Sequence, residues 1–334
     1  MTPRENMRRA IEFRGPQRLP ITGYGDADDR VSIGTEPITP PAAANDPLVD
    51  EWLCRWEKTE TPNMGQVKGH PLADLADLHS FPWPDGDDPR RYVNVTRQLD
   101  EIDAAPVRRD KYRIVGIFML LWERMQALYG FENCSMDLLE DRPEIHELAD
   151  RLVAYDCAFI RNVHRLAGDR IDGFGFSEDW GTEQDLMVSP ELFRRFFLPR
   201  YRTIFAAARD RGWHVWMHSC GKINRAIPFL IDAGVNLLNM QQPLTNGIAE
   251  IGRQFAGRVC FETLCDIQHT LPKGNRAEIR QQAEQLLTQW GTPQGGFILG
   301  DNGDAAAIGA ELAIKSFMFE TFRELDPWRN GGRR

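Results

Sequence analysis

Two residues that could bind a metal follow a short apolar segment in the middle of the chain. His218 and Cys220 flank Ser219, directly after the apolar residues 213–217. If that segment is a β-strand, side chains two positions apart point to the same side. Imidazole and thiolate suit zinc, which they bind at about 2.0–2.1 and 2.3 Å. The spacing therefore predicts part of a zinc site. The alternative is a buried histidine beside a cysteine that only fills space.

A catalytic zinc ion needs about three protein ligands and keeps one position open. Three residues in loops after other expected strands could supply the third ligand: Glu178, Asp301 and Cys265. We prefer Glu178 and Asp301, because Cys265 lies a few residues beyond its strand and could simply pack in a loop. Each acidic residue could instead be a solvated loop residue.

Other polar residues at the same strand ends could move protons or orient a substrate. Glu178 and Asp179 are adjacent and precede Trp180. Two carboxyl groups in an apolar pocket can have separated pKa values and act as acid and base. An acidic turn that caps a helix is the alternative. Gln242 offers a neutral donor and acceptor for a substrate oxygen. We therefore take Glu178, Asp179 and Gln242 as candidate catalytic residues.

The elements that must position these residues alternate between strand and helix from residue 112 onward. Strands are expected at 112–120, 171–176, 213–217, 235–240, 259–263 and 297–299, and helices at 136–167, 189–211, 224–233, 247–255, 276–290 and 305–325. This alternation implies parallel strands joined by right-handed crossovers. The chain length, and the lack of a Gly-x-Gly-x-x-Gly turn after any strand, favour a closed (β/α)8 (TIM) barrel over a doubly wound open sheet. The functional residues of such barrels lie at the carboxyl ends of the strands.

The first hundred residues are irregular and rich in proline and glycine. Within them, Thr2 and Pro3 have the residue types of a helix N-cap and first turn. We predict one domain with an irregular N-terminal extension over residues 1–105, packed on a barrel over residues 106–334.

The charge balance excludes several classes of partner. The chain has 40 basic and 49 acidic residues, a net charge of −9. Nucleic acids and anionic membranes require a basic surface.

No apolar run reaches the roughly 20 residues that span a bilayer, and the N-terminal residues lack the apolar core of a secretion signal. The six cysteines show no disulfide framework. A cytoplasmic location is therefore expected.

Several motifs together resemble the uroporphyrinogen decarboxylase superfamily over roughly residues 105–325, and more loosely at the N-terminal helix and Arg18-Leu19-Pro20. They are SEDWGT at 177–182, SPE at 189–191, PRY at 199–201, HSCG at 218–221, GV at 234–235, DIQ at 266–268, Leu271-Pro272-x-Gly274 and GGFI at 295–298. The resemblance implies a TIM barrel, often dimeric, and either of two activities.

The first implied activity is decarboxylation without a metal, for which the superfamily binds substrate carboxylates with an N-terminal arginine-containing segment. The corresponding residues 19–25 contain no arginine. The second is methyl transfer to or from a corrinoid (cobalamin-type) cofactor, with zinc bound by a His-x-Cys pair and a later cysteine. Here His218 and Cys220 match the pair, and Asp301 stands near the final strand in place of that cysteine.

We therefore expect a zinc-dependent methyltransferase that demethylates a small, possibly aromatic, methyl ether, as an O-demethylase does. The chain has no Asp-x-His-x-x-Gly cobalamin-binding motif, so the corrinoid would be carried by a partner protein. The expected metal ligands are His218, Cys220, Glu178 and Asp301. A metal-free decarboxylase or other lyase is the main alternative, and a barrel that only docks a partner is another.

Overall fold

The computed structural model, which describes residues 1–59 and 65–329, contains a curled sheet of seven parallel strands with helices packed around it. The strands are β1 Arg30–Ser32, β2 Arg55–Glu57, β3 Gln66–Gly69, β4 Tyr112–Phe118, β5 Gly173–Ser177, β6 His214–His218, β7 Leu237–Asn239, β8 Cys260–Thr263 and β9 Phe297–Leu299. The large sheet has the order β1-β4-β5-β6-β7-β8-β9, and β2 and β3 form a separate antiparallel pair.

Helices connect the parallel strands and cover the outer face of the sheet. They are α1 Pro3–Ile11, α2 Val95–Ala104, α3 Trp122–Tyr129, α4 Phe131–Glu140, α5 Pro143–Ala167, α6 Pro190–Leu192, α7 Leu198–Arg209, α8 Ile227–Ala233, α9 Pro243–Asn246, α10 Ile248–Phe255, α11 Thr270–Lys273, α12 Arg276–Gln289 and α13 Leu312–Glu324. Residues Phe193–Phe197 form a π-helical segment between α6 and α7. No helix in the described ranges is both long enough and apolar enough to cross a membrane.

The alternation predicted from residue 112 onward is confirmed: each of the six expected strands has a counterpart in the sheet. Two predicted helices are wrong in detail. Residues 305–325 contain a short 3₁₀ helix at Ala306–Ile308, which ends at the left-handed Gly309, and α13 begins only at Leu312. Residues 136–167 belong to two helices. Asp141 adopts a left-handed conformation between α4 and α5, and Pro143 begins the second helix. Strand β1 was not expected, since it lies in the proline-rich first hundred residues. It pairs in parallel with β4.

Residues 20–22 lie beside the last strand, β9. Ile21 forms an isolated parallel bridge with Leu299, and Thr22 donates a backbone hydrogen bond to Leu299. The carbonyl of Ile21 also accepts a hydrogen bond from the backbone of Asp29, next to β1. The structure thus shows a seven-stranded curled sheet whose first and last strands are both linked to one short segment.

Helix α1 closes one end of the sheet. Thr2 caps it as predicted, accepting a hydrogen bond from the backbone of Glu5, and Pro3 occupies its first turn. Its buried residues join a small apolar cluster from strands β4, β7, β8 and β9; the cluster comprises Met7, Ala10, Ile11, Tyr112, Ile114, Leu237, Cys260 and Ile298. A larger core lies between the outer face of the sheet and the helices. The carboxyl ends of the strands are therefore at the other end of the molecule from α1.

We predict that Leu238→Ala lowers the free energy of unfolding by about 2–5 kcal/mol, because Leu238 is fully buried in the larger core and its truncation leaves a cavity. Leu312→Ala is the control, since Leu312 is 71% exposed, and should change stability by less than about 0.5 kcal/mol. Urea unfolding followed by circular dichroism measures both. Equal effects of the two substitutions would contradict this core assignment.

Candidate metal centre

Four neighbouring strands place side chains at or next to their carboxyl ends side by side. Ser177 of β5 lies opposite His218 of β6, His218 opposite Asn239 of β7, and Asn239 opposite Glu262 of β8. Residues in register on adjacent parallel strands face the same side of the sheet. The polar residues at the carboxyl ends of these strands therefore form one row.

Three potential metal ligands converge next to this row. The carboxylate of Asp179, the imidazole of His218 and the thiol of Cys220 each offer one atom, and these atoms lie within 4.8 Å of one another. Cys220 Sγ is 3.4 Å from His218 Nε2, and His218 Nε2 is 3.6 Å from Asp179 Oδ1. One nitrogen, one sulfur and one carboxylate oxygen form a ligand set that zinc accepts.

A chain of hydrogen bonds sets the tautomer of His218. Glu262 accepts hydrogen bonds from Arg30, from Trp216 Nε1 at 2.9 Å and from Asn239 Nδ2 at 3.1 Å. Because the carboxylate can only accept, the amide nitrogen of Asn239 faces Glu262, and its Oδ1 faces His218 Nδ1 at 2.6 Å. Nδ1 therefore carries the proton, and the lone pair of Nε2 points toward Cys220. Such a fixed tautomer is typical of metal-binding histidines.

The loop that carries Cys220 is tied to the loop that carries Asp179. Cys220 N donates to Asp179 Oδ1 at 2.8 Å, and Gly181 N donates to Cys220 O at 3.2 Å. Gly221 has a φ of +76°, and a Cβ placed there would be 2.2 Å from Gly181 O. Glycine is therefore required where the loops touch. Close contact of the two backbones fixes the distance between the carboxylate and the thiol.

Burial raises the pKa of the Cys220 thiol well above its usual range, and the nearby Asp179 carboxylate adds to the shift. Without a cation, this cysteine is therefore a neutral thiol at physiological pH. A divalent ion bound between Asp179, His218 and Cys220 would lower the pKa of this thiol and favour the thiolate. The residues present thus fit a zinc ion.

Glu178 points away from these three residues. It is fully buried and accepts hydrogen bonds from the backbone of Leu121 at 2.8 Å, from the backbone of Glu123 at 3.0 Å and from the hydroxyl of Tyr201. Burial raises the pKa of Glu178 to about 7, against the opposing effect of these hydrogen bonds. Since it binds free N–H groups at the start of α3, Glu178 anchors that helix.

The remaining predicted site residues also have partners elsewhere. Asp301 forms an ion pair with Lys315 at 2.6 Å. Cys265 is fully buried, and its sulfur contacts the carbonyl of Ile279 at 3.5 Å. Gln242 accepts a hydrogen bond from the backbone of Gly221, so it supports the turn after Cys220. Of the predicted ligands, the structure brings together His218 and Cys220. It adds Asp179, and it does not bring in Glu178, Asp301 or Cys265.

Two residues of the hydrogen-bond chain were missed from the sequence. Asn239 gave a usable signal, because it is a polar residue near the end of an otherwise apolar strand. Its partner Glu262, the residue before the end of β8, lies opposite Asn239, which a parallel register would predict. Arg30 gave no such signal, since its strand has three residues and lies in an irregular segment.

Two cavities lie near the candidate ligands: Ser177 and Trp216, on the strands that precede them, line one, and Asp179 lines the other. One, of about 270 Å³, lies on the face of the sheet that carries Arg30 and Trp216, and the paired glycines Gly116 and Gly175 leave it room. The other, of about 560 Å³, is lined by Asp179, Glu123 and several aromatic residues. Burial raises the pKa of Glu123 to about 8, with Asp179 as the second cause. A small molecule could therefore reach Asp179 from an open cleft.

The family model and one solved structure agree with this architecture. Residues 69–302 match the model of the uroporphyrinogen decarboxylase (URO-D) family. A methyltransferase structure from Methanosarcina mazei superposes with a TM-score of 0.67 at 14% identity, covering 96% of this chain and 99% of that chain. A structure of D-psicose 3-epimerase (DPEase) in the presence of D-fructose gives a TM-score of 0.40 at 13% identity, covering 69% and 81%. No protein sequence with a curated description matches significantly.

We predict that Gly221→Ala costs several kcal/mol of stability and disturbs the position of Cys220. Gly212→Ala is the matched control. Gly212 also has a positive φ, of +77°, but no atom of the described residues lies within 4 Å of an added Cβ. The Gly212→Ala variant therefore isolates the cost of the backbone conformation. That cost is about 1–2 kcal/mol. Gly221→Ala should exceed it because the new Cβ collides with backbone. Thermal or urea unfolding of both variants tests the difference, and equal losses would contradict the close contact.

A pH dependence follows from the raised pKa of Glu178. The folded protein keeps this proton up to about pH 7, whereas an ordinary glutamate loses it near 4.5. The contribution of this group to the free energy of unfolding is therefore complete below pH 4.5 and is lost as the pH rises to 7. The loss is about 3 kcal/mol, because each unit of difference between the folded and unfolded pKa corresponds to about 1.36 kcal/mol. Glu178→Gln should remove this loss in urea unfolding at pH 4 to 8. Glu191→Gln, at an exposed position, is the control and should lose stability with rising pH as the wild type does. An equal loss in Glu178→Gln would contradict the assignment of this pH dependence to Glu178.

Proposed function

Because this chain belongs to the uroporphyrinogen decarboxylase family, we propose that it is a zinc-dependent methyltransferase within that family. It takes a methyl group from a small donor, an aromatic methyl ether being our choice, and passes it to a corrinoid on a separate protein. The observation that carries the proposal is the convergence of Asp179, His218 and Cys220 within 4.8 Å. The methyltransferase from Methanosarcina mazei, which has the same fold, supports it.

In this proposal Asp179, His218 and Cys220 are the zinc ligands, and a fourth position stays open for the substrate. Zinc would supply Lewis acidity, polarising the ether oxygen that leaves when the methyl group is transferred. Asn239 keeps the Nε2 lone pair of His218 available through the hydrogen bond to Nδ1. Asp179, predicted from sequence to act in proton transfer, becomes a ligand.

Glu123, Glu178 and Gln242 act around this centre. Glu123 lines the same cleft as Asp179 and is protonated at neutral pH, since burial raises its pKa to about 8. It can give a proton to the departing oxygen. Glu178 and Gln242 are positioning residues: Glu178 fixes the start of α3, which carries Glu123, and Gln242 fixes the turn after Cys220.

The corrinoid would be carried by a partner protein, because the chain has no cobalamin-binding motif. The partner must approach the end of the molecule where the cleft opens. Two aromatic residues of that cleft are unusually exposed, Phe118 at 46% and Phe131 at 48%. Exposed aromatic residues are common where proteins dock.

We also propose that the sheet closes into the predicted eight-stranded barrel, with residues 20–22 as the eighth strand between β9 and β1. The bridge from Ile21 to Leu299 and the hydrogen bond from Asp29 to Ile21 support this closure. On this proposal the predicted N-terminal extension contributes two strands to the barrel, and the chain is one domain.

A metal-free decarboxylase remains the second candidate. The family match itself favours it, and so does Arg30, a cation that faces one of the two cavities and could attract a substrate carboxylate. Arg30 is already paired with Glu262 at 3.1 Å. For this reason we place the methyltransferase first.

Metal analysis tests the proposal directly. Purified wild-type protein should contain about one zinc ion per chain, and His218→Ala and Cys220→Ala should lose it, since each removes one of the three ligands. Asp179→Asn should weaken binding, whereas Asp301→Asn should not. Asn239→Ala should lower zinc affinity about 10- to 100-fold, the usual effect of removing a partner of a ligating histidine. Cys157→Ala serves as the cysteine control.

The reaction is measured by the absorbance change when cob(I)alamin is methylated by the enzyme and a methoxylated aromatic donor. Zinc content that is unaffected by both His218→Ala and Cys220→Ala would contradict the metal centre. Release of carbon dioxide from an acidic substrate by metal-free protein would establish the decarboxylase instead.

A further inference from the structure

A third cavity, of about 490 Å³, is lined by none of the three candidate metal ligands, although it shares Trp56, Phe118 and Met119 with the cleft at Asp179. It is bounded by strand β4, by the inner side of helix α5 and by parts of the N-terminal segment between residues 35 and 56. A single water molecule occupies about 30 Å³ of liquid volume. The cavity is therefore large enough for a small organic molecule.

Asp156 lines this cavity, and one of its two carboxyl oxygens has no hydrogen-bond partner among the described residues. Its side chain projects from α5, the residue is only 2% exposed, and the buried oxygen without a partner is Oδ2. Burial raises the pKa of Asp156 well above its usual range, and the buried Glu178 adds to the effect. A buried carboxyl group without a donor costs stability. Without a cation Asp156 is therefore neutral, and a cationic donor bound at this position would favour its ionised form.

Arg124, from helix α3, lines the same cavity with one unused donor. Its Nη1 is 3.4 Å from Asp50 and its guanidinium stacks on Trp52 at 4.7 Å, but its buried Nε has no partner in the part of the chain that the structure describes. Arg124 and Asp156 line the same cavity, and the positive charge of Arg124 opposes the effect of burial on the pKa of Asp156. One ligand carrying a donor and an acceptor could therefore satisfy both groups.

The charges of the lining residues indicate the sign of the ligand. Four carboxyl groups face two guanidinium groups: Glu36, Asp50, Glu51 and Asp156 against Arg91 and Arg124. The ion pairs of Arg91 with Glu51 and of Arg124 with Asp50 use both guanidinium groups. Aromatic rings, including Trp56 and Phe159, complete the wall. An excess of carboxylate next to aromatic faces suits an organic cation.

We propose that this cavity binds a small organic ammonium ion that also carries an oxygen, with the ammonium group paired to Asp156 and the oxygen accepting a hydrogen bond from Arg124 Nε. The site goes beyond the proposed methyl transfer and does not depend on it, because none of the three candidate metal ligands lines the cavity.

Isothermal titration calorimetry with two ring compounds tests the proposal on the full chain. Tyramine has an ammonium group, a ring and a hydroxyl, whereas 4-ethylphenol lacks the ammonium group. Tyramine should bind to the wild type, and 4-ethylphenol should bind at least about tenfold more weakly, because it leaves Asp156 without a cation. This comparison requires no substitution, so it is informative even if a variant fails to fold.

Asp156→Asn then tests the residue. The amide keeps the size of the side chain and removes its charge, so tyramine affinity should fall by about tenfold or more. Asp150→Asn is the matched control on the same helix, since the Asp150 side chain is 65% exposed and pairs with Arg200 outside the cavity. It should bind tyramine like wild type. Absence of tyramine binding at millimolar concentration, equal binding of 4-ethylphenol, or unchanged affinity in Asp156→Asn would each overturn the proposal.

Discussion

The hydrogen bond from His218 Nδ1 to Asn239 Oδ1 determines what the centre can bind. An imidazole offers a lone pair to a metal only from the nitrogen without a proton. Asn239 could present either end of its amide, and Glu262 decides which, because a carboxylate shared by Arg30, Trp216 and Asn239 accepts from all three. Three neighbouring strands in register, β6, β7 and β8, together with Arg30 of β1, are thus needed to aim one lone pair toward Cys220.

The second constraint is the contact between the loops that follow β5 and β6. Glycine at 181 and at 221 lets the two backbones approach closely, and any side chain there would collide with the neighbouring loop. Two further hydrogen bonds, Cys220 N to Asp179 and Lys222 N to Thr182 O, join the same loops. Because these contacts hold the two loops together, they fix the distance between the Cys220 thiol and the Asp179 carboxylate. Strand β6 fixes the imidazole of His218.

Much of this arrangement could be predicted from the sequence, and the failures have physical reasons. The repeated strands and the His218 and Cys220 pair follow from local patterns. Whether Glu178 or Asp179 is the metal ligand does not follow from a local pattern. Adjacent residues at the end of a strand point in opposite directions, so a register error of one residue exchanges the ligand for its neighbour. Strand β1 was missed because three residues in an irregular segment are too few to show the alternation that distinguishes a strand from a loop.

Glu178 also links the metal centre to the Asp156 cavity. Glu178 is fully buried, its neighbour Asp179 faces His218, and its own charge raises the pKa of Asp156. Glu178 binds the start of α3, and α3 carries both Glu123, which lines the cleft at Asp179, and Arg124, which lines the Asp156 cavity. A cation bound at Asp156 would offset the repulsion between the two buried carboxyl groups. It would therefore favour ionised Glu178, whose hydrogen bonds to the backbone of α3 are stronger when it is charged.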